Sequence, residues 1–218
     1  WVYRQNWQRE TDTAAPAGKG ERRLSVTIMA TAGDRARVSL TEMGAASPAI
    51  EETVNADWSC AAPGTQGHWL TSRPLALPLW PGKMWEADYT ARTPADPSHT
   101  RETIRQHYHA VGWEEVRVAA GSFWAMRIEE EGEWIGSWNS SAPRAAAASD
   151  SPPDAPRACR ATQPLAPLRD SLYGRYHKLY WYAPAAKRWV KLVERYDDIN
   201  GDPLARSSME LESYRLSS

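Results

Sequence analysis

The sequence predicts an all-β protein with about nine to eleven antiparallel strands in a single highly curved sheet or half-open barrel. Apolar and polar residues alternate with a period of two along most of the chain. Turn-forming Gly, Asn and Pro residues separate the alternating runs. No segment combines an apolar stripe at helical spacing with capping residues. Since so many twisted strands rarely stay flat, we expect the sheet to curl.

The N-terminal half contains three clear alternating runs. The first covers Leu24–Ala30 and the second Arg35–Met43, and the Gly-Asp pair between them indicates a hairpin turn. In the third, Trp85–Ala91, aromatic residues and alanines share one face while acidic residues and a threonine share the other. Short helices are an open alternative at Ile50–Ala56 and at Pro164–Tyr173.

The C-terminal half continues the same pattern. Arg101–His109 alternates between polar and apolar positions, and Trp124–Ile128 resumes the alternation after a corner at Ala119–Gly121. An Asn-Gly pair separates the runs Arg188–Asp198 and Ala205–Leu216. Asn-Gly between two alternating runs is the strongest short signal for a β-hairpin.

All 218 residues are expected to form one β domain, because all-β domains often reach this length. Residues 137–170 are rich in Ala, Pro and Ser and lack periodicity, so we expect a long irregular insertion loop within that domain. The formal net charge of -1 gives no basic excess for nucleic acid. No apolar run is long enough to span a membrane. The chain begins at Trp1 without Met, and we expect a processed product whose export signal lies outside the sequence.

Cys60 and Cys159 are the two cysteines of the chain, and each lies in a loop-like stretch without metal-binding or redox spacing. Our hypothesis is a disulfide that ties the long insertion to the first half of the domain. The alternative is a pair of free thiols.

The sequence offers no catalytic constellation, so we predict a protein that is not an enzyme and holds no cofactor or metal. His107 and His109 share one strand face, but no third metal ligand accompanies them. The Asp198–Asp202 segment indicates an Asx-rich hairpin turn rather than a calcium loop. The acidic run Glu129–Glu133 is interpreted as a solvated hairpin tip rather than a catalytic carboxylate pair.

Aromatic composition is unusual, with twelve Trp residues against one Phe. Such side chains either fill the core of a β domain, which is the simpler interpretation, or line a hollow for an acyl chain, a sugar ring or a partner segment. The candidate ligand-binding residues are Trp85, Tyr89, Trp124, Tyr180, Trp181 and Trp189.

Three motifs carry a family resemblance: PLWPGKMW at Pro78–Trp85, GWEEVRVAAGSFWA at Gly112–Ala125, and YWYAP at Tyr180–Pro184 followed by RWVK. In this order the chain resembles an uncharacterised family of exported Gram-negative proteins, a domain often carried by lipoproteins. Ala119 stands where that family usually has Pro. The resemblance implies a fold similar to the unclosed barrel of periplasmic lipoprotein carriers, which hold acyl chains in an apolar hollow. It implies no catalytic residues, and a shared fold does not fix function.

We therefore expect a non-enzymatic exported protein, periplasmic or associated with the outer membrane. Its expected ligand is apolar, such as a lipid acyl chain, on the concave face of the sheet. One alternative is a structural or accessory subunit of a larger envelope or extracellular assembly, since aromatic residues are enriched in interfaces. Another alternative is a glycan-binding domain.

Overall fold

The structure is a computed structural model that describes residues 1–10, 18–46, 48–61, 70–91, 99–138 and 173–216. These residues form β-strands joined by turns and one short 3₁₀ segment. In chain order the strands are β1 Val2–Arg9, β2 Gly18–Ala32, β3 Arg35–Glu42, β4 Ile50–Asn55, β5 Cys60–Ala61, β6 Leu70–Ser72, β7 Met84–Ala91, β8 His99–Val118, β9 Gly121–Trp138, β10 Tyr173–Ala183, β11 Arg188–Asp198 and β12 Pro203–Ser213. The all-β prediction is confirmed.

Ten strands form one antiparallel sheet in the order β4-β3-β2-β1-β12-β11-β10-β9-β8-β7. Sheet neighbours are also chain neighbours, except that β1 pairs with β12. The edges of this unclosed sheet are β4 and β7. The short β5–β6 ribbon follows β4 and lies beside β7, so it sits between the two edges.

The sheet curls around a single core. Val54 in β4 and Ala87 in β7 come from opposite edge strands but belong to the same cluster of buried apolar residues. The hydroxyl of Tyr3 in β1 donates to the carbonyl oxygen of Trp189 in β11 at 2.9 Å, across the strand that separates them. The predicted curved, half-open sheet is confirmed, and the core occupies its concave side.

Two glycines of the central strands are covered by aromatic rings from the facing strand. Gly132 in β9 pairs with Tyr176 in β10, and Gly174 in β10 pairs with Trp134 in β9. A Cβ added at either glycine would overlap the ring opposite it. These positions therefore require glycine, which lets a large ring lie flat on the neighbouring backbone.

The predicted hairpin turns are present. Between β11 and β12, the Asp198 carboxylate accepts hydrogen bonds from the backbone N–H groups of Asn200 (2.8 Å) and Asp202 (2.9 Å). These backbone bonds, the one from Asp202 first, lower the pKa of Asp198. Gly201 completes the turn with φ +87°, a conformation that glycine adopts without strain. The segment is an Asx turn, as predicted.

Two local interpretations are wrong. A helix at Ile50–Ala56 is excluded, because Ile50–Asn55 pairs with β3 as strand β4. The β-branched residues of this segment favour that extended backbone. The acidic run Glu129–Glu133 is not a hairpin tip, because it lies in the middle of β9. Alternation along that strand buries Glu130 completely and leaves Glu131 exposed.

Most of the predicted insertion, residues 137–170, lies outside the described residues, and its first two residues are the end of β9. Of the segment Pro164–Tyr173, only Tyr173 is described, as the first residue of β10. Cys60 is buried and is not a free cysteine. Cys159 lies outside the described residues, so the pairing of these two cysteines stays a prediction.

Candidate functional site

Three charged side chains pair across the central strands, inside the sheet. Glu130, Lys178 and Glu194 stand opposite one another on β9, β10 and β11. The Lys178 ammonium lies 3.5 Å from Glu130 Oε1 and 4.0 Å from Glu194 Oε1. Burial raises the pKa of Glu194, although Lys178 opposes that shift. Side-chain exposure is 3% for Lys178 and 0% for both glutamates, so this ion triad is sealed from solvent.

Neutral side chains satisfy the remaining carboxylate oxygens of the ion triad. The Tyr180 hydroxyl donates to Glu130 Oε2 at 2.5 Å, and Gln106 Nε2 donates to Glu130 Oε1 at 3.2 Å. The Ser207 hydroxyl donates to Glu194 Oε2 at 2.8 Å. All these partners are buried, so the network orders the interior and offers no surface to a substrate.

A second buried charge lies between aromatic rings towards one end of the core. The Arg188 guanidinium carbon is 3.9 Å from the ring centroid of Trp58 and 4.0 Å from that of Trp189. Burial lowers the pKa of Arg188 and raises the pKa of the neighbouring Tyr3 to about 12. Contact with the ring faces offsets part of the cost of burying the cation.

A cavity of about 900 Å³, here called the rim cavity, opens beside this buried arginine. It lies where β2 and β4 end and β3 begins, next to the β10–β11 turn and the tail after β12. Its lining residues are Trp1, Val2, Val26, Thr27, Ile28, Thr31, Gly33, Asp34, Arg35, Ala36, Val54, Asn55, Ala56, Trp58, Lys187, Ser213, Tyr214, Arg215 and Leu216.

Apolar residues line the rim cavity at both its base and its mouth. Val26 and Val54 are each 2% exposed and belong to the core, so they form its base. Ile28, Tyr214 and Leu216 are 40%, 37% and 36% exposed, so large apolar side chains also line the accessible part. A concave apolar surface that water reaches is a typical ligand site.

Backbone strain is also concentrated at the rim cavity. In the described part of the chain, the non-glycine residues with positive φ are Trp58 (φ +60°) and Lys187 (φ +53°). Both line the cavity, and the Trp58 indole N–H donates to the Lys187 carbonyl oxygen at 3.1 Å. Such conformations are uncommon outside glycine and persist where the surroundings impose them, often at binding sites.

The structure places two of the six predicted aromatic residues together in the core. Tyr180 and Trp189 are 1% and 0% exposed, and their ring centroids are 5.9 Å apart. Trp85 is half-buried near the β7 edge and stacks on Tyr108, with centroids 5.2 Å apart. These three residues belong to or pack against the shared core cluster.

Of the other three predicted aromatic residues, Trp181 also packs against the core cluster, whereas Trp124 is exposed. Trp181 is half-buried and donates its indole N–H to Glu114 Oε1 at 2.5 Å. Trp124 is 64% exposed near the start of β9. Tyr89 lies in β7, and its side chain is outside the described set. None of the five predicted residues with described side chains lines the rim cavity.

His107 and His109, considered as metal ligands in the sequence, both lie in β8. His107 Nδ1 lies 3.1 Å from Glu86 Oε1 on an exposed face. Among the described residues, no three His, Cys, Asp or Glu side chains are placed to hold a metal ion. Over the same residues, no helix has the length and apolar character needed to cross a membrane.

No protein-family model matches the sequence, and no curated protein matches it. The fold is similar to that of the hypothetical lipoprotein YmcC from Escherichia coli K12, with a TM-score of 0.38 and 9% identity over 99% of this chain and 86% of that chain. A lipoprotein candidate from Parabacteroides distasonis gives a TM-score of 0.48 and 11% identity over 98% of this chain and 94% of that chain. An exported-protein candidate with a YmcC-like fold from Bacteroides fragilis gives a TM-score of 0.39 and 11% identity over 99% of this chain and 95% of that chain. The descriptions of these three proteins agree with the family resemblance of the sequence motifs.

Proposed function

We propose that this chain is an exported, non-enzymatic envelope protein that binds an apolar ligand in the rim cavity. The observation that carries this proposal is an open cavity of about 900 Å³ with apolar residues at both base and mouth. Its volume falls in the range of roughly 300–1,000 Å³ that is usual for sites holding one small molecule.

The sequence predicts a ligand on the concave face of the sheet, and the middle of that face is occupied by side chains. There Tyr180, Trp189 and the ion triad fill the space between the strands. A ligand at that level would have to displace well-packed side chains, whereas the rim cavity is open. Ligand contact by the six predicted aromatic residues stays a prediction.

Two titratable groups of the core with perturbed pKa values, Glu194 and Arg188, support a function without catalysis. Glu194 and Arg188 have shifted pKa values, and both side chains are sealed inside the core. Catalytic groups with tuned pKa values must instead face a substrate. These two groups are therefore structural in the described arrangement.

Binding of N-phenyl-1-naphthylamine, a neutral dye that fluoresces in apolar surroundings, tests the proposal. The informative variant is Ala36→Trp, because Ala36 lines the cavity and a Trp side chain would fill it. Its matched control is Ala30→Trp, on the facing strand β2, where Ala30 is exposed and does not line the cavity. Both variants carry the same substitution in the same hairpin.

We expect the wild type and Ala30→Trp to bind the dye equally. Ala36→Trp should bind it at least about tenfold more weakly, which corresponds to about 1.4 kcal/mol. Absence of dye binding by the wild type would overturn the proposal. Equal binding of the dye by all three proteins would show that it binds outside the rim cavity.

A second candidate function is that of an accessory subunit in an envelope assembly. It is favoured by Leu77, Trp80 and Met84, which are 45%, 51% and 75% exposed just before and at the start of edge strand β7. Exposed apolar residues beside an unpaired strand are typical of a contact surface. Light scattering coupled to size exclusion, on the wild type and Trp80→Ser, tests it: a strict monomer in both samples and no partner in pull-downs would contradict it.

A further inference from the structure

The mouth of the rim cavity carries an excess of positive charge. Its charged lining residues are Arg35, Lys187, Arg215 and Asp34, so three cations face one anion and leave an excess of two. The whole chain has a formal net charge of -1. The local excess is therefore opposite in sign to the protein as a whole, and it lies beside the accessible apolar residues.

The described part of the chain offers these three cations no carboxylate partner. Within the described ranges, no carboxylate lies within 4.0 Å of Arg35, Lys187 or Arg215. Elsewhere on the surface pairing is common, as for Arg4 and Arg23, which share Glu212 at 2.6 Å each. The contrast matters because an unpaired cation beside apolar surface is free to pair with an anionic ligand.

The three cations come from separate elements that meet only at the cavity. Arg35 begins β3, Lys187 forms the β10–β11 turn, and Arg215 follows β12. The strained backbone of Lys187 is held by the hydrogen bond from the Trp58 indole to its carbonyl oxygen. Trp58 is itself buried in the apolar wall, so the position of one cation is tied directly to the wall below it.

We infer that the rim cavity takes a single-chain anionic amphiphile, with its acyl chain against Val26, Val54 and Trp58 and its anionic head group beside Arg35, Lys187 and Arg215. This inference rests on the proposed function and specifies its ligand class. An acyl chain would pack against the apolar base, and a carboxylate or phosphate would pair with the excess positive charge at the mouth. A neutral or cationic amphiphile would leave those cations without a counter-charge.

The test uses probes with one chain length and different head groups: dodecanoate, dodecyl phosphate, dodecanol and dodecylammonium. Each displaces the neutral dye from the protein in a low-salt buffer. The informative variant is R35Q/K187Q/R215Q, and its matched control is K19Q/R37Q/R117Q. The control removes three exposed cations that do not line the cavity, so both variants have the same net charge.

For the wild type and the control we expect dodecanoate or dodecyl phosphate to bind about tenfold more tightly than dodecanol, and dodecylammonium to bind most weakly. The tighter of the two anions identifies the head group. The preference should fall as salt rises towards molar concentration, because the cations are close to solvent. In R35Q/K187Q/R215Q the preference for the two anions over dodecanol should disappear.

The outcomes separate this inference from the proposed function. If no probe and no dye binds, the proposed function fails. If dodecanol binds as tightly as the anions, the ligand class is wrong and the proposed function stands. A preference that survives in R35Q/K187Q/R215Q would overturn the assignment to these residues. If that variant does not fold, Arg215→Gln replaces it, because Arg215 lies outside every strand. If Arg215→Gln keeps the full preference for anions and that preference does not depend on salt, the inference is overturned.

Discussion

Replacing Lys178 with methionine removes the positive charge that separates Glu130 from Glu194. At an effective dielectric constant of about 20, two unit charges 4 Å apart attract by about 4 kcal/mol. The two contacts of Lys178 are 3.5 Å and 4.0 Å long. Much of this attraction offsets the cost of burying the charges, and a proton on Glu194, whose pKa is already raised, can relieve part of the loss. We therefore expect a destabilisation of about 3 kcal/mol, near the lower end of the roughly 3–5 kcal/mol that accompanies a broken buried pair.

Urea unfolding at pH 7, followed by tryptophan fluorescence, measures the change in the free energy of unfolding. The control is Lys191→Met, which removes an ion pair with Glu210 whose side chains are 29% and 45% exposed. That variant should lose less than about 1 kcal/mol. The variant E130Q/K178M/E194Q, which has no charge left in the triad, should regain most of the stability lost in K178M. The reasoning is refuted if K178M costs no more than K191M, or if the uncharged variant is less stable than K178M.

Three further predictions concern the interior and the cysteines. Burial raises the pKa of Glu194, so the folded protein keeps the Glu194 carboxyl protonated to a higher pH than the unfolded chain does. The contribution of Glu194 to stability therefore falls as pH rises above the ordinary carboxyl pKa of 4.5. Glu194→Gln should abolish that decline in a pH series of urea midpoints, and an unchanged slope would contradict it. Gly132→Ala should cost about 1–3 kcal/mol because its methyl group meets the Tyr176 ring. Gly112→Ala, where a Cβ meets no atom within 4 Å, should cost less than about 1 kcal/mol, and equal losses in thermal unfolding would argue against the ring contact. Mass spectrometry of the unreduced protein should find Cys60 linked to Cys159, and reduction should lower stability by up to about 4–5 kcal/mol for a loop of about 100 residues. Two alkylatable thiols would exclude that link.

The strands and turns were predictable because their signals are local. Alternation along Leu24–Ala30 or Arg188–Asp198 reflects a sheet with one wet face, and a Gly after Asn or before Asp marks the chain reversal. The segment Ile50–Ala56 gave a weaker signal, since charged residues occupy its centre. Its strand state depends on pairing with β3, which no local pattern reveals.

The ion triad was not predictable, because it depends on register between strands. A run of glutamates is usually solvated, whereas Glu130 is buried opposite Lys178 on the next strand. That pairing joins residues far apart in the chain. Neither residue type nor spacing in the sequence shows which of the glutamates faces inward.

The rim cavity was missed for the same reason. Its base combines Val26, Val54 and Trp58 from different elements, and its mouth adds Lys187 and Arg215 from much later in the chain. The excess of tryptophan indicated large aromatic side chains in the core or around a hollow. It could not tell that Trp58 lines a cavity while Trp189 fills the core.

The pairing of β1 with β12 has a consequence for how the chain folds. It divides the sheet into two runs of consecutive strands, β1 to β4 and β7 to β12, that join along one seam. The seam connects residues as distant as Arg4 and Glu212, which are 208 positions apart. Closing so long a loop is slow compared with forming hairpins. During synthesis, strands β1 to β4 keep an unpaired edge at β1 until β12 has emerged, and the pairing of β12 with β1 then joins the two runs into one half-open barrel.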